Sequence, residues 1–276
     1  MPIDLSYVGK KLEPVTHAYA EKDVMLYGLG VGCGPDDLQF VYERELRVLP
    51  TFSVIVSFPA MLNLGGAMQV NPAMVLHGEQ RIDVRAPLPT SGTITTTPKI
   101  TAVYDKGKGA VVVVETQSVD ARGNLLFVNT ASIFVRGEGG FGGDRGPSGA
   151  KNVPPDRPPD KSISYKTLPQ QALLYRLSGD MNPLHADPDF AKLGGFDRPI
   201  LHGLCTYGHA GRAVLTAFCG NDPARLRTLE VRFSGVVFPG ETITTDMWQV
   251  EPKKVVLTAK TERSEAVLSN AAAELV

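Results

Sequence analysis

Three short segments from the first half of this chain return, in the same order, in the second half. Val24-Met25-Leu26-Tyr27-Gly28-Leu29-Gly30 is echoed by Ala172-Leu173-Leu174-Tyr175-Arg176-Leu177-Ser178. Val75-Leu76-His77-Gly78 is echoed by Ile200-Leu201-His202-Gly203. Pro89-Thr90-Ser91-Gly92-Thr93-Ile94-Thr95-Thr96 is echoed by Pro239-Gly240-Glu241-Thr242-Ile243-Thr244-Thr245. The spacing far exceeds the ~20–50 residues of a solenoid unit, so it reads as duplication of a whole fold. Between the copies, residues 137–160 (GEGGFGGDRGPSGAKNVPPDRPPD) are crowded with Gly and Pro and nearly empty of large apolar side chains. Such a stretch buries too little surface to offset its ordering entropy as a packed element. It predicts a linker, with halves at 1–136 and 161–276, each of ordinary domain size.

Apolar residues are 43% of the 276, enough for a sizeable core. With 28 basic against 29 acidic residues the net charge is -1, which argues against a general nucleic-acid binder. A local basic pocket for a phosphorylated ligand is compatible with that balance. Nowhere does the sequence run apolar long enough to span a membrane as a helix. Cys33, Cys205 and Cys219 form no CxxC pair, so they read as inert thiols of a reducing compartment. The start, MPIDLSYVGKKLEP, lacks the apolar stretch of a signal peptide, and Ala273-Glu274-Leu275-Val276 is no SKL-type address. The expected location is the cytoplasm of a bacterium, or the peroxisome in a eukaryote.

Each half reads as an early helix followed by extended runs. Leu204–Phe218 is a long apolar helix whose small residues suit close packing on a sheet, and Pro188–Leu193 a short one. Strands are predicted at 78–84, 93–104, 110–120 and 125–136, and again at 228–233, 242–250, 255–262 and 266–275. The class is α+β, a sheet wrapped around a central helix in each half. In the first half, Pro59, Gly65, Gly66 and Pro72 fall in the helical region. A disrupted helix there would leave room for a long or bulky ligand chain.

Two stretches carry chemistry. In Ser178-Gly179-Asp180-Met181-Asn182-Pro183-Leu184-His185, helical propensity collapses and Asn182-Pro183 forces a turn. Asp180 and His185 then flank one proline-stiffened bend, where an acid and an imidazole can hold one water for general acid–base work. The residues alone also allow a plainer reading, in which Asp180 and Asn182 cap the turn and His185 is an ordinary buried histidine. Farther on, Ile200-Leu201-His202-Gly203-Leu204 enters the long helix. Free N–H groups and the dipole at that start, beside a residue without a side chain, suit a developing oxyanion. Tight helix packing explains Gly203 equally well, and His202 reads as structural.

The run from Tyr175 to Pro188, with Gly195-Phe196-Asp197-Arg198-Pro199-Ile200-Leu201-His202-Gly203-Leu204-Cys205-Thr206, strongly resembles the motif of the MaoC-like (R)-specific 2-enoyl-CoA hydratases, the hydratase 2 family. Leu26–Gly32, Leu76–Gln80 and Gly139-Gly140-Phe141-Gly142-Gly143 resemble the same family in its multifunctional peroxisomal form. The resemblance covers nearly the whole chain. It implies a double hot-dog fold and addition of water to a trans-2-enoyl-CoA in fatty-acid β-oxidation or related acyl-CoA metabolism, giving a (3R)-3-hydroxyacyl-CoA. It implies catalytic Asp180, His185 and Asn182, an oxyanion N–H on Gly203, and substrate contacts at His77, Gly78, Lys106 and Phe233. The pair Tyr42-Glu43 resembles a Tyr-Glu pair of the family's first half and adds Glu43 to the candidates. Lys106-Gly107-Lys108 is independently a flexible basic tip suited to phosphate, or simply a solvated turn. No metal or redox cofactor is implied; a homodimer is. The first half has Gly-Val-Gly-Cys-Gly-Pro where the second has its Asp and His, so one active site per chain is expected. The competing readings are an acyl-CoA thioesterase on the same fold and a non-catalytic acyl-CoA-binding protein.

Overall fold

The structure is a computed structural model that describes residues 3–68, 74–263 and 265–276. The first half contributes β1 (Val15–Tyr19), α1 (Glu21–Gly30), α2 (Ser53–Met68), β2 (Val75–Val84), β3 (Gly92–Asp105), β4 (Gly109–Val119) and β5 (Leu125–Arg136). The second contributes β6 (Lys161–Lys166), α3 (Gln171–Tyr175), α4 (Pro188–Leu193), α5 (Gly203–Val214), β7 (Leu226–Phe233), β8 (Thr242–Glu251), β9 (Lys254–Lys260) and β10 (Ala266–Leu275). The strands form one sheet in the order β1-β3-β4-β5-β2-β7-β10-β9-β8-β6. Read from the centre outwards, the two five-stranded halves mirror each other. They meet where β2 pairs antiparallel with β7, from Glu79 opposite Arg232 to Asp83 opposite Thr228.

Strand alternation explains most of these elements, and β5 and β10 have the bounds expected from the sequence. The edge strands β1 and β6 were not predicted. Each is short, and β6 (KSISYK) carries a lysine at both ends, polar dress that suits a sheet edge and hides a strand signal.

α2 runs unbroken through Pro59 and also contains Gly65 and Gly66, so the expected break of this helix is not there; Pro72 lies outside the described residues. Proline costs the helix one hydrogen bond without ending it here.

The segment echo at His77 and His202 is not structural equivalence. His202-Gly203 cap and open the central helix α5, whereas His77-Gly78 follow α2 and lie inside β2. The other two echoes, at α1 with α3 and before β3 and β8, occupy matching places.

α5 is buried from Leu204 onward and continues into one π turn, Leu215–Cys219. Its small residues were expected to face the sheet, but they chiefly admit the first half. A Cβ on Gly208 would stand 2.4 Å from Val31, and one on Gly211 2.7 Å from Thr51. Beside them Arg212, almost fully buried, donates to the Val31 carbonyl (2.8 Å) and the Asp37 carboxylate (2.8 Å). From the other side Gln171 Nε2 donates to the carbonyls of Leu29 (3.0 Å) and Gly30 (2.7 Å). One apolar core therefore spans both halves, from Tyr27 and Phe52 to Leu229 and Ala273.

Segment 137–160 contains no helix or strand but is held by specific contacts. Phe141 packs against Ile100, Val112 and their neighbours. Asn152 donates to Glu230 (2.7 Å), and the Trp248 indole donates to the Arg157 carbonyl (2.8 Å).

Candidate active site

α3 ends in a 3-10 turn, Arg176–Ser178, that unwinds at Gly179 with φ +133. The chain then folds back on its own side chains. Asp180 accepts from the Asn182 N–H (3.2 Å), and Asn182 from the Leu184 N–H (3.0 Å). Pro183 opens the next 3-10 turn, which ends at His185, and Asp187 caps α4 through the N–H groups of Asp189 and Phe190. Asn182 thus shapes the bend, and its amide oxygen is spent on that work.

His185 is buried, and its Nδ1 lies 2.9 Å from the Ile200 carbonyl. A carbonyl only accepts, so the proton sits on Nδ1 and Nε2 keeps a free lone pair. Burial pushes the His185 pKa below its ordinary value, against the opposing pull of that carbonyl and of Asp180. His202 stacks on this ring, centroids 3.7 Å apart and planes at 28°. Its Nε2–H donates to the Asp180 carbonyl (3.1 Å), and burial pushes its pKa down to about 2, so it stays neutral.

One ligand-type atom from each of Asp180, His185 and His202 falls within 4.8 Å of the others. A metal wants lone pairs that converge. Two imidazoles stacked nearly face to face direct theirs along almost parallel planes, a poor fit to one ion. An acid and an imidazole ring this close suit one water instead.

Gly203 opens α5 and is exposed, with no side-chain cap from His202 and no acceptor for its N–H among the described residues. A Cβ there would lie 3.2 Å from the Phe233 ring. Phe233 meets His77 edge to face at 5.1 Å. A register shift between His77 and Glu79 bulges β2 at Gly78 and aims His77 toward this ring. His77 Nε2 is enclosed without a partner, and burial pushes the His77 pKa down to about 4.

Beyond Phe233 lies a cavity of about 460 Å³ on the sheet face away from α5, lined by Gly78, Arg81, Lys106, Lys151, Arg232 and Phe233 among others. Gly78, Lys106 and Phe233 therefore share one cavity, with His77 against its aromatic wall. Lys106 was expected on a flexible tip, but it is tied down: its Nζ donates to the Arg145 carbonyl and sits over the Tyr104 ring at 5.7 Å. Glu43 is exposed and makes no side-chain hydrogen bond or ion pair among the described residues. The residue underread from sequence is His202. Its position directly before Gly203 was visible, but its bond to Asp180, twenty-two residues upstream, exists only in the fold.

Residues 17–137 match the family described as MFE-2 hydratase 2 N-terminal domain, and residues 150–271 match the MaoC like domain. This chain belongs to the hydratase 2 family of MaoC-like proteins. Within that family it is 44% identical to a probable enoyl-CoA hydratase 2 of Dictyostelium discoideum, over 99% of this chain and 97% of that one. It is also 44% identical to the peroxisomal multifunctional enzyme type 2 of Mus musculus, over 98% of this chain and 38% of that one. A solved MaoC-like dehydratase from Phytophthora capsici superposes with TM-score 0.91 at 36% identity, covering 99% of this chain and 98% of that chain. A Mycobacterium tuberculosis protein described as a double hotdog shares the fold at TM-score 0.62 and 12% identity. The family's fold is the one seen here, a double hot-dog of the α+β class.

Proposed function

We propose that Asp180 and His185 hold one water for attack on C3 of a trans-2-enoyl-CoA, with the thioester oxygen on the Gly203 N–H. The activity is (R)-specific hydration of the enoyl-CoA to a (3R)-3-hydroxyacyl-CoA. The observation that carries the roles is the bond from His185 Nδ1 to Ile200, which leaves Nε2 bare on a ring with one nitrogen within 4.8 Å of an Asp180 carboxylate oxygen. Nε2 takes a proton from the water as its oxygen bonds to C3. The thioester oxygen gains the negative charge at the start of α5, where the N–H and the helix dipole favour the enolate over the ground-state carbonyl. The imidazolium, stabilised by Asp180, then returns the proton to C2 on the face it came from. Hydroxide and proton have then added to the double bond on one side.

The same reading puts the CoA portion of the substrate in the cavity past Phe233. Arg81, Lys106 and Lys151 line it and offer positive charge to phosphates. His77 and Phe233 stand between that cavity and Gly203. Asn182 acts by shaping the turn, and Glu43 has no place in this scheme. The chain works as a homodimer in this reading, which light scattering tests.

Hydration in D₂O, followed by chiral analysis and deuterium NMR at C2, tests the water's placement. A (3R) product with syn C2–D and C3–O bonds is expected; a (3S) or anti product overturns it. Release of free thiol from the substrate would mean thioester cleavage instead.

A further inference from the structure

Asp105, next to Lys106 in the chain, is buried at the end of β3, and its carboxylate is taken up by backbone N–H groups. One carboxylate oxygen accepts the N–H groups of Gly107 (2.8 Å) and Gly140 (2.8 Å), and the other accepts that of Gly142 (2.7 Å). These donors come from two segments more than thirty residues apart. Further bonds fasten the same two segments. Asp105 N–H donates to the Asp144 carbonyl (2.8 Å), Gly137 N–H to that of Lys108 (2.9 Å), and Lys106 Nζ to that of Arg145. The approach is too close for a side chain: a Cβ on Gly139 would stand 2.5 Å from the Gly107 and Gly109 carbonyl oxygens. Gly140 and Gly142 have φ of +82 and +76, which turns their N–H groups inward onto one anion. That anion is the protein's own carboxylate. From this knot the chain runs on through Pro147, Ser148, Gly149 and Lys151, which wall the cavity opposite the sheet.

We propose that Asp105 is a positioning residue for the nucleotide end of the substrate, fixing Lys106 and the 147–151 wall of the cavity in one piece. The segment between the halves is then part of the binding site and not a spacer. The proposal rests on the reading of this cavity as the CoA site. Because Asp105 lies away from the reacting carbons, its effect is on binding shared by ground state and transition state.

The test is Asp105→Asn, which keeps the size but turns one acceptor into a donor facing an N–H. KM for an enoyl-CoA should rise about tenfold, the order expected for losing a charged hydrogen bond. kcat/KM for the N-acetylcysteamine thioester of the same acyl group, which lacks the nucleotide, should not change. Trypsin should cut faster after Arg145 and Lys151. If Asp105→Asn leaves KM unchanged while Lys106→Ala raises it, the proposal is overturned and the cavity reading stands. If neither raises it, the cavity reading fails and the proposal with it. Equal loss with both substrates makes Asp105 a residue of the fold only, which also overturns the proposal. Should Asp105→Asn not fold, Gly140→Ala disturbs the same knot and is read with the same substrates.

Discussion

The imidazoles of His185 and His202 lie face to face at 3.7 Å, the one bonded to the Ile200 carbonyl and the other to that of Asp180. His202 is held neutral by burial and spends its N–H on the Asp180 carbonyl. It therefore fixes both partners of the candidate dyad, one by stacking and one by a hydrogen bond. His202→Phe keeps the stack and removes the bond, leaving a carbonyl without its donor. Turnover should fall by about 5–100-fold, the range for one broken buried hydrogen bond, with unchanged circular dichroism. Full activity in His202→Phe would make the bond to Asp180 irrelevant.

Asp180→Asn and His185→Gln should each lower turnover by ~10²–10⁴-fold while the melting temperature stays near that of the parent. Steady-state rates with crotonyl-CoA and a longer enoyl-CoA measure this. A variant that keeps near-normal rates removes that residue from the acid–base pair.

Four of the five histidines, at 77, 185, 202 and 209, are held below their ordinary pKa by burial. A depressed histidine means the unfolded chain binds more protons, so stability falls as pH falls below about 6.5. The loss continues to about 4 for His77 and His209 and lower for His202. Each group contributes a slope of at most about 1.4 kcal/mol per pH unit. Melting temperature should drop steadily from pH 7 to pH 5, above the range where carboxylates titrate. For the same reason the acid limb of the kcat/KM profile should lie below pH 6.5. A melting temperature flat across that interval contradicts the burial argument.

Lys106→Glu reverses a charge in the lining of the cavity and also breaks the bond to Arg145. KM for an enoyl-CoA should rise far more than kcat falls, and the effect should shrink as salt is added. An unchanged KM at low ionic strength places the phosphates elsewhere.

Gly32→Ala should destabilise the protein by about 1–3 kcal/mol without touching the active site. Gly32 has φ +80, and a Cβ there would stand 2.8 Å from His209 Nε2. Urea unfolding of the variant gives the number; a loss within a few tenths of a kcal/mol would mean the loop yields freely.

Much of this was legible in the sequence because it is local. Alternation marked β5 and β10, and Asn182-Pro183 marked the bend that presents Asp180 and His185. What escaped notice depends on partners far along the chain. The 137–160 segment reads as a spacer until Asp105 is seen collecting its amides, and His202 reads as structural until its bond to Asp180 appears. The likeness of His77-Gly78 to His202-Gly203 misled for a related reason. Four letters carry no information on whether they stand before a helix or within a strand.

Arg212 reaches out of α5 to Val31 and Asp37, while Gln171 grips Leu29 and Gly30, so each half closes the other's core. Neither half can come apart alone without stripping buried polar partners from its neighbour. Damage is therefore shared even though the chemistry is not. Inactivating substitutions should scatter across both halves, and those at the buried seam around Val31 and Asp37 should act by lowering the amount of folded enzyme, with the turnover of each surviving molecule intact.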